Sequence, residues 1–211
     1  MALLALFYDS KCYGSRPAHA GVVAVTAGDL GPKVKTFLRQ GSWAHRTIIK
    51  PLPGDEFDAD ILLHLEEDRE WKDNPRAYIN ALYQAFRRSA IYRDMVEKKN
   101  RCVRIHYAND CHVDVVPYLT RGFFENQKVI INHAENIFER IDPEGFTSWM
   151  RHQDQRASNN LRTTIRLMKY LRDRQDAFSV PSIILTALIG RQVSAWQELV
   201  NGYGCGSFGV S

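Results

Sequence analysis

Two aspartates placed one residue apart have the type and spacing needed to hold a metal ion. Asp58 and Asp60 begin a run that continues as Ile-Leu-Leu-His-Leu and predicts a buried strand over 59–65. Because side chains alternate along a strand, both carboxylates are expected on one face, about 6.6 Å apart along the backbone. Carboxylates are the hard oxygen ligands that Mg²⁺ prefers, commonly in combination with bound phosphates. The pair therefore predicts metal-assisted phosphate chemistry.

A third carboxylate, Asp114, interrupts the otherwise apolar, strand-like run 112–117. An ionised carboxylate is costly to bury unless it is paired or coordinates a cation. We therefore expect Asp58, Asp60 and Asp114 to share one metal-filled cleft. The alternative for the first two is a surface strand cap, since an aspartate pair at this spacing often occurs by chance.

Gly41 and Ser42 predict a phosphate-binding turn ahead of these carboxylates. A Gly-Ser turn followed by a short helix, which we place at 44–49, presents backbone N–H groups and a hydroxyl to a phosphate. Taken alone, the dipeptide predicts only a turn. In combination with the three aspartates, it resembles the pattern of the polymerase-β-like nucleotidyltransferases.

The segment 39–51, Arg-Gln-Gly-Ser-Trp-Ala-His-Arg-Thr-Ile-Ile-Lys-Pro, and the following Phe57-Asp58-Ala59-Asp60 resemble the bacterial cGAS/DncV-like nucleotidyltransferases. This family (CD-NTases, or SMODS-type cyclic oligonucleotide synthases) belongs to the polymerase-β-like superfamily. The resemblance spans residues 35–195 and includes 167–171 and 180–183, which are similar to two helical segments whose Lys and Ser contact the nucleotide in relatives. It implies an α+β fold with a catalytic sheet lobe and a shortened helical lobe.

The resemblance also implies roles for individual residues. Asp58, Asp60 and Asp114 would be the catalytic residues and the ligands of two Mg²⁺ ions, with Mn²⁺ as an alternative, and Asp114 would help to deprotonate the attacking ribose hydroxyl. The nucleotide-binding residues would be Gly41, Ser42, Lys169 and Ser182. For Lys169, an ordinary surface charge is the alternative.

The activity implied by the resemblance joins nucleoside triphosphates into a cyclic di- or oligonucleotide second messenger in anti-phage defence. The protein would be cytoplasmic and either a monomer or regulated by other defence proteins, and a nucleic-acid activator stays open. Two other functions also stay open. One is nucleotide transfer to a protein or an RNA end, and the other is nucleotide binding without catalysis.

The chain departs from the family pattern in two places. Arg46 stands where many relatives have Gly before the Thr, and it would either bind phosphate or crowd it. Relatives also carry a long helix at the start and further helices at the end, whereas 1–32 and 201–211 are rich in glycine here. We therefore expect a minimal, divergent or truncated version of the family.

Two other groups of residues have less specific interpretations. Three histidines and two cysteines lie on or near predicted strands, but none has the spacing of a tetrahedral zinc site; they are His106, His112, His133, Cys102 and Cys111. The basic stretches 87–88 and 98–101 could touch nucleic acid, although a solvated helix face is the more common reason for such a run.

Composition and hydropathy narrow the class of protein. The chain has 211 residues, 45% of them hydrophobic and 25% charged, which excludes disorder of the whole. A net charge of +4 suits phosphate-bearing ligands but is below the excess typical of nucleic-acid-binding proteins. The four cysteines lack paired spacing, which favours a reduced compartment. The longest apolar run is interrupted too soon for a membrane span.

Hydrophobic periodicity predicts the elements around the site. We expect a catalytic lobe over 33–140, a partial helical lobe over 141–200, and ends at 1–32 and 201–211 without a clear pattern. In the first lobe, a helix should begin at Asn74-Pro75 and run to about Lys98, followed by strands over 102–107, 112–118 and 128–132. In the second, helices are predicted after Pro143, around 161–171 and over 182–199.

Overall fold

Strands dominate the first two thirds of the chain and helices the last third. The computed structural model describes residue 30 and residues 34–52, 57–107, 111–122, 127–175 and 179–203, the last with side chains to residue 193. The strands in these residues are β1 Val34–Gln40, β2 Phe57–Leu65, β3 Val96–Lys98, β4 Val103–Tyr107, β5 Cys111–Arg121, β6 Gln127–Asn132 and β7 Ile137–Ile141. The helices are α1 Gly41–Ala44, α2 Arg76–Arg88, α3 Pro143–Arg156, α4 Leu161–Gln175 and α5 Ser182–Tyr203.

The strands form one mixed sheet in which β2 and β5 are the parallel pair. The order is β1-β2-β5-β4-β3, and β6 pairs with β5 and with β7. All the other strand pairs described are antiparallel. Parallel neighbours need a long connection, which here contains α2, β3 and β4. The sheet therefore brings together two strands that lie far apart in the sequence.

Helix α2 supplies most of the non-strand part of the core of this sheet unit. Its apolar residues recur at helical spacing, and all are buried; they are Tyr78, Ile79, Leu82, Ala85 and Phe86. They join a single hydrophobic cluster with the alternating side chains of β2, such as Leu63 and Leu65, and with Val115 of β5. This packing fixes β2 and β5, the two strands that carry the predicted carboxylates.

Helices α3, α4 and α5 form most of a second compact unit. The first unit comprises the described residues up to Trp43 and from Lys50 to Pro143, and the second comprises 44–49 and the residues from Glu144 onward. In the second unit, Met150 of α3 and Leu161 and Ile165 of α4 form a small buried cluster. Within the described residues, no helix is both long and apolar enough to cross a membrane.

The predicted α+β class is confirmed, but two predicted helices are wrong. The short helix expected at 44–49 is instead α1, because Arg46 has a φ of 57° and a left-handed residue cannot continue a right-handed helix. The helix expected to reach Lys98 ends at Arg88, since Ser89 is extended and Lys98 pairs with Val103 in the sheet. Apart from Leu30 and residues 201–203, which end α5, the two ends of the chain lie outside the described residues.

Candidate active site

The parallel pair β2 and β5 brings the three predicted carboxylates into one part of the sheet. In its register Asp60 is opposite Asp114 and Asp58 is opposite His112. Asp58 is exposed, whereas Asp60 and Asp114 are half-buried. The register of the two strands thus sets Asp60 next to Asp114. Asp58 lies two residues before Asp60, where the alternation of side chains gives it the same face of β2.

Arg104 of β4 pairs with Asp114 across the neighbouring strands β4 and β5. The antiparallel register of β4 and β5 sets these two residues opposite each other. Arg104 Nε donates to Asp114 Oδ1 at 2.7 Å, and Nη2 donates to Oδ2 at 2.8 Å. Nη2 also lies 3.8 Å from Asp58 Oδ1. Such a two-pronged pair is the strongest type of charge-assisted hydrogen bond, and here it neutralises one of three neighbouring negative charges.

Asp60 is the electrostatically unfavourable member of the set. Burial, followed by the negative charges of Asp114 and Asp58, raises the pKa of its carboxyl to about 6, although the charge of Arg104 opposes the change. A cation bound at this carboxylate would remove both penalties. The raised pKa is thus what is expected of a carboxylate that sits beside other carboxylates.

Gly41 allows the turn before α1 to approach Asp60. Its φ is 61°, and a Cβ added there would collide with Asp60 Oδ2 and lie 3.4 Å from Cγ. The position therefore requires glycine twice, once for its backbone conformation and once for the space. Ser42 follows directly, and Arg39 of β1 stacks on the Trp43 ring at 4.5 Å, which anchors the turn to the sheet.

The two remaining predicted nucleotide-binding residues lie in the helical unit. Lys169 of α4 is only 3% exposed, so it is not the surface charge offered as the alternative. Its Nζ donates to the Thr47 carbonyl at 3.1 Å, and burial, followed by the charge of Arg172, lowers its pKa to about 8. Ser182 opens α5, and its Oγ accepts from Arg172 Nη1 at 3.2 Å.

The carboxylate oxygens of Asp58 and Asp60 are suitable ligands for a hard divalent cation. The turn that begins at Gly41 lies next to Asp60. Asp114 differs, because both its oxygens accept hydrogen bonds from Arg104. Among the described residues, no group of three His, Cys, Asp or Glu side chains is arranged to hold one metal ion. A cation held by all three aspartates would thus require Arg104 to release Asp114.

Arg104 is the residue of this cluster that the sequence did not single out. Its neighbours Val103 and Ile105 are buried, so the alternation along β4 puts Arg104 on the other face. The sequence did contain a signal for Arg104, because it is a charged residue in an apolar strand next to the strand that carries Asp114. Only the register makes it specific.

Comparison with known proteins agrees with this geometry. Residues 24–154 match the model of the Second Messenger Oligonucleotide or Dinucleotide Synthetase domain, SMODS. A c-di-GMP synthase of Roseivirga ehrenbergii is 32% identical over 111 residues, which are 52% of this chain and 29% of that protein.

Solved structures show the same fold. The CD-NTase CdnG of Bradyrhizobium diazoefficiens in complex with GTP aligns with a TM-score of 0.64 and 20% identity over 82% of this chain and 63% of its own. The CdnE cyclic dinucleotide synthase of Elizabethkingia meningoseptica, with GTP and Apcpp, aligns with a TM-score of 0.67 and 18% identity over 88% of this chain and 71% of its own.

These relatives are longer than the chain, which spans 29% of the length of the c-di-GMP synthase. The family match nevertheless covers more than half of the chain and includes β2, the Gly-Ser turn and β5. With the carboxylates of β2 and β5 side by side and the glycine turn against Asp60, the chain belongs to the SMODS family of cGAS/DncV-like nucleotidyltransferases.

Proposed function

We propose that this chain carries the nucleotidyl-transfer site of an enzyme that joins two nucleoside triphosphates into a cyclic dinucleotide. The observation that supports the proposal most directly is the register of β2 and β5, which pairs Asp60 with Asp114 and sets Asp58 beside them. The c-di-GMP synthase relative makes GTP the first substrate to test. Release of the product as a signal in anti-phage defence, from a cytoplasmic enzyme, is part of the same proposal.

In the proposed reaction, a ribose hydroxyl oxygen of one nucleotide attacks the α-phosphorus of another. A new phosphodiester P–O bond forms, the bond from the α-phosphorus to the bridging oxygen breaks, and pyrophosphate leaves with the electron pair. The hydroxyl proton passes to a carboxylate of the site, for which we propose Asp114. A second transfer within the linear intermediate closes the ring and releases a second pyrophosphate.

The protein's task in such a reaction is mainly to position phosphates and to balance charge. Asp58 and Asp60 would hold divalent cations, Mg²⁺ or Mn²⁺, which supply charge neutralisation at the attacking and leaving oxygens. Gly41 and Ser42 would hold phosphate oxygens through the turn, and Lys169 and Ser182 would contact the triphosphate. Arg104 would keep Asp114 in position through its two hydrogen bonds.

The test is incubation of the purified chain with radiolabelled GTP or ATP and Mg²⁺, followed by chromatography of the products. Wild type should give a phosphatase-resistant cyclic product. The double variant Asp58→Asn/Asp60→Asn should lower its rate at least about a thousandfold, because the cation ligands are lost. Asp73→Asn is the matched control, since Asp73 is an exposed aspartate in the loop before α2.

Other outcomes would identify another function. Label attached to protein or to an RNA end would replace the proposal with a different nucleotide transfer. Thermal stabilisation by NTP without any product would indicate a nucleotide-binding protein without catalysis. Equal product from wild type and the double variant would contradict the assigned carboxylates.

A further inference from the structure

A cavity in the helical unit lies outside the set of residues assigned to nucleotidyl transfer. Its volume is about 300 Å³, and its walls come from the segment after α1, from one face of α3 and from the turn into α4. The polar residues that define it are Arg46, Arg151, Asp154, Gln155, Asn159 and Arg162. None of the described residues assigned to catalysis or nucleotide binding lines it. We call it the arginine cavity.

The charge of the arginine cavity is positive because its single acid is already paired. Asp154 is buried, and its Oδ2 accepts from Arg162 Nη1 at 2.8 Å while Oδ1 accepts from the Arg162 backbone N–H at 3.2 Å. Within the described part of the chain, the side chains of Arg46 and Arg151 make no hydrogen bond or ion pair. Two guanidinium charges of the lining therefore stay uncompensated.

Arg162, which lines the cavity, also has a hydrogen-bond donor that the described residues do not satisfy. Arg162 Nε is buried and has no hydrogen-bond partner among them. A buried donor without an acceptor is costly, and native proteins rarely leave one. The amides of Gln155 and Asn159 add further donors to the lining. An acceptor-rich, negatively charged ligand would match the guanidinium and amide groups of the lining.

The remaining walls do not add or remove charge near neutral pH. His45 lines the cavity next to Arg46, and burial together with the charges of Lys169 and Arg162 lowers its pKa, which favours the neutral ring. Its Nε2 lies 3.4 Å from the Thr147 hydroxyl. The excess positive charge therefore comes from the arginines alone.

We propose that the arginine cavity binds a phosphate-bearing anion no larger than a mononucleotide. Guanidinium groups recognise phosphate oxygens two at a time, which favours phosphate over a simple halide. A volume of about 300 Å³ is at the lower end of small-molecule sites. The proposal does not depend on the proposed function, because the two sets of residues are different.

Isothermal titration of the full chain with inorganic phosphate, pyrophosphate and GMP tests the proposal. EDTA in the buffer suppresses cation-dependent nucleotide binding at Asp58 and Asp60. The variants are Arg46→Gly, which suits the left-handed backbone there, and Arg151→Gln on the exposed face of α3. Arg191→Gln, an exposed arginine of α5 outside the cavity, is the matched control, and thermal melting checks the folding of each variant.

Saturable binding that either cavity variant weakens about tenfold or more, and that Arg191→Gln leaves unchanged, supports the proposal. Asp58→Asn/Asp60→Asn should retain the binding. Tighter binding of GMP than of phosphate and pyrophosphate would show that the nucleoside is also recognised, whereas equal affinities would show recognition of the phosphate alone. If Arg151→Gln does not fold, Arg151→Lys replaces it, and a partial loss of affinity is expected.

Three results would overturn the proposal. The first is the absence of saturable binding of all three anions. The second is binding that Arg191→Gln weakens as much as the cavity variants, which indicates a diffuse surface effect. The third is binding that depends on Asp58 and Asp60 and not on the arginines.

Discussion

Arg104 and Asp114 face each other across β4 and β5, and both oxygens of the carboxylate accept from one guanidinium. The same guanidinium lies 3.8 Å from Asp58. Asp114, which the sequence assigned to a metal ion, is thus held by an internal cation. Arg104 balances part of the negative charge that the parallel pair of strands concentrates in one place.

Removal of Arg104 should destabilise the fold. Arg104→Ala leaves Asp114, whose side chain is only 16% exposed, without its partner, and we expect a loss of about 2 kcal/mol in the free energy of unfolding. Arg104→Lys keeps the charge but loses the second hydrogen bond, so its loss should be smaller. Urea unfolding at pH 7.5 with EDTA measures both. Wild-type stability of Arg104→Ala would show that the pair has no energetic role.

Asp60 should reduce the stability of the cation-free protein above pH 6. Its folded-state pKa is about 6, above the ordinary 3.8, so the folded state binds the proton more tightly. Stability therefore falls as pH rises from about 4 to 6 and stays low above that range. Asp60→Asn removes the penalty and should stabilise the protein by about 3 kcal/mol at pH 7.5 while abolishing the proposed nucleotidyl transfer.

Urea unfolding of wild type and Asp60→Asn between pH 4 and 8 in EDTA checks this sign. The advantage of the variant should be nearly lost at pH 4, where the wild-type carboxyl is protonated in the folded state and about half protonated in the unfolded state. Asp73→Asn, at an exposed aspartate, should show no such dependence. An advantage of Asp60→Asn that persists at pH 4 would rule out the charge as its cause.

Gly41 and Asp60 should be energetically coupled. Gly41→Ala places a methyl group against Asp60 Oδ2 and forces a left-handed alanine, so a loss of about 2 kcal/mol or more is expected. In the Asp60→Ala background only the backbone strain remains, about 1 kcal/mol. A double-mutant cycle by urea unfolding isolates the contact. Additive losses would show that the methyl group and the carboxylate do not meet.

The sequence was sufficient for the strands that carry the carboxylates, because their signal is local. Asp58 and Asp60 precede a run of buried apolar residues, and Asp114 interrupts a long apolar strand. These apolar residues are buried in the folded chain because many of them pack with α2 in one hydrophobic cluster. The fold class and the adjoining carboxylates follow from the same pattern.

The partner of Asp114 depends on a register that periodicity does not specify. A turn over 108–111, as expected from the sequence, would set Arg104 opposite Val115. The structure pairs Tyr107 with Cys111, which shifts the register by one residue and sets Arg104 opposite Asp114. A shift of the register by one residue gives every residue of β4 a different partner on β5. The pairing of Arg104 with Asp114 could therefore not be predicted from the sequence spacing alone.

The end of α2 and the position of α1 were also beyond the sequence pattern. Residues 89–98 contain good helix formers, but Lys98 pairs with Val103 at the sheet edge, and sheet pairing prevails over local propensity. Arg46 is left-handed although arginine gives no sign of such a conformation.

Lys169 should make stability depend on pH in the alkaline range. Burial lowers its folded-state pKa to about 8 from the ordinary 10.5, so above pH 8 the folded state loses the proton before the unfolded state does. Stability relative to Lys169→Met should therefore rise by about 2 kcal/mol from pH 8 to 10.5. Urea unfolding across this range, with the exposed Lys72→Met as control, measures it. A flat difference would show that Lys169 does not titrate as a buried amine.

At position 46, a glycine variant should be more stable than an alanine variant. With φ at 57°, any residue with a Cβ is strained by about 1 kcal/mol or more, whereas glycine adopts this conformation freely. Arg46→Gly should thus be about 1 kcal/mol more stable than Arg46→Ala, although glycine normally loses stability through its flexible unfolded state. Both variants lack the guanidinium, so their difference in urea unfolding reports the backbone alone. An alanine variant as stable as the glycine variant would mean that the segment between α1 and Thr47 relaxes out of the left-handed conformation.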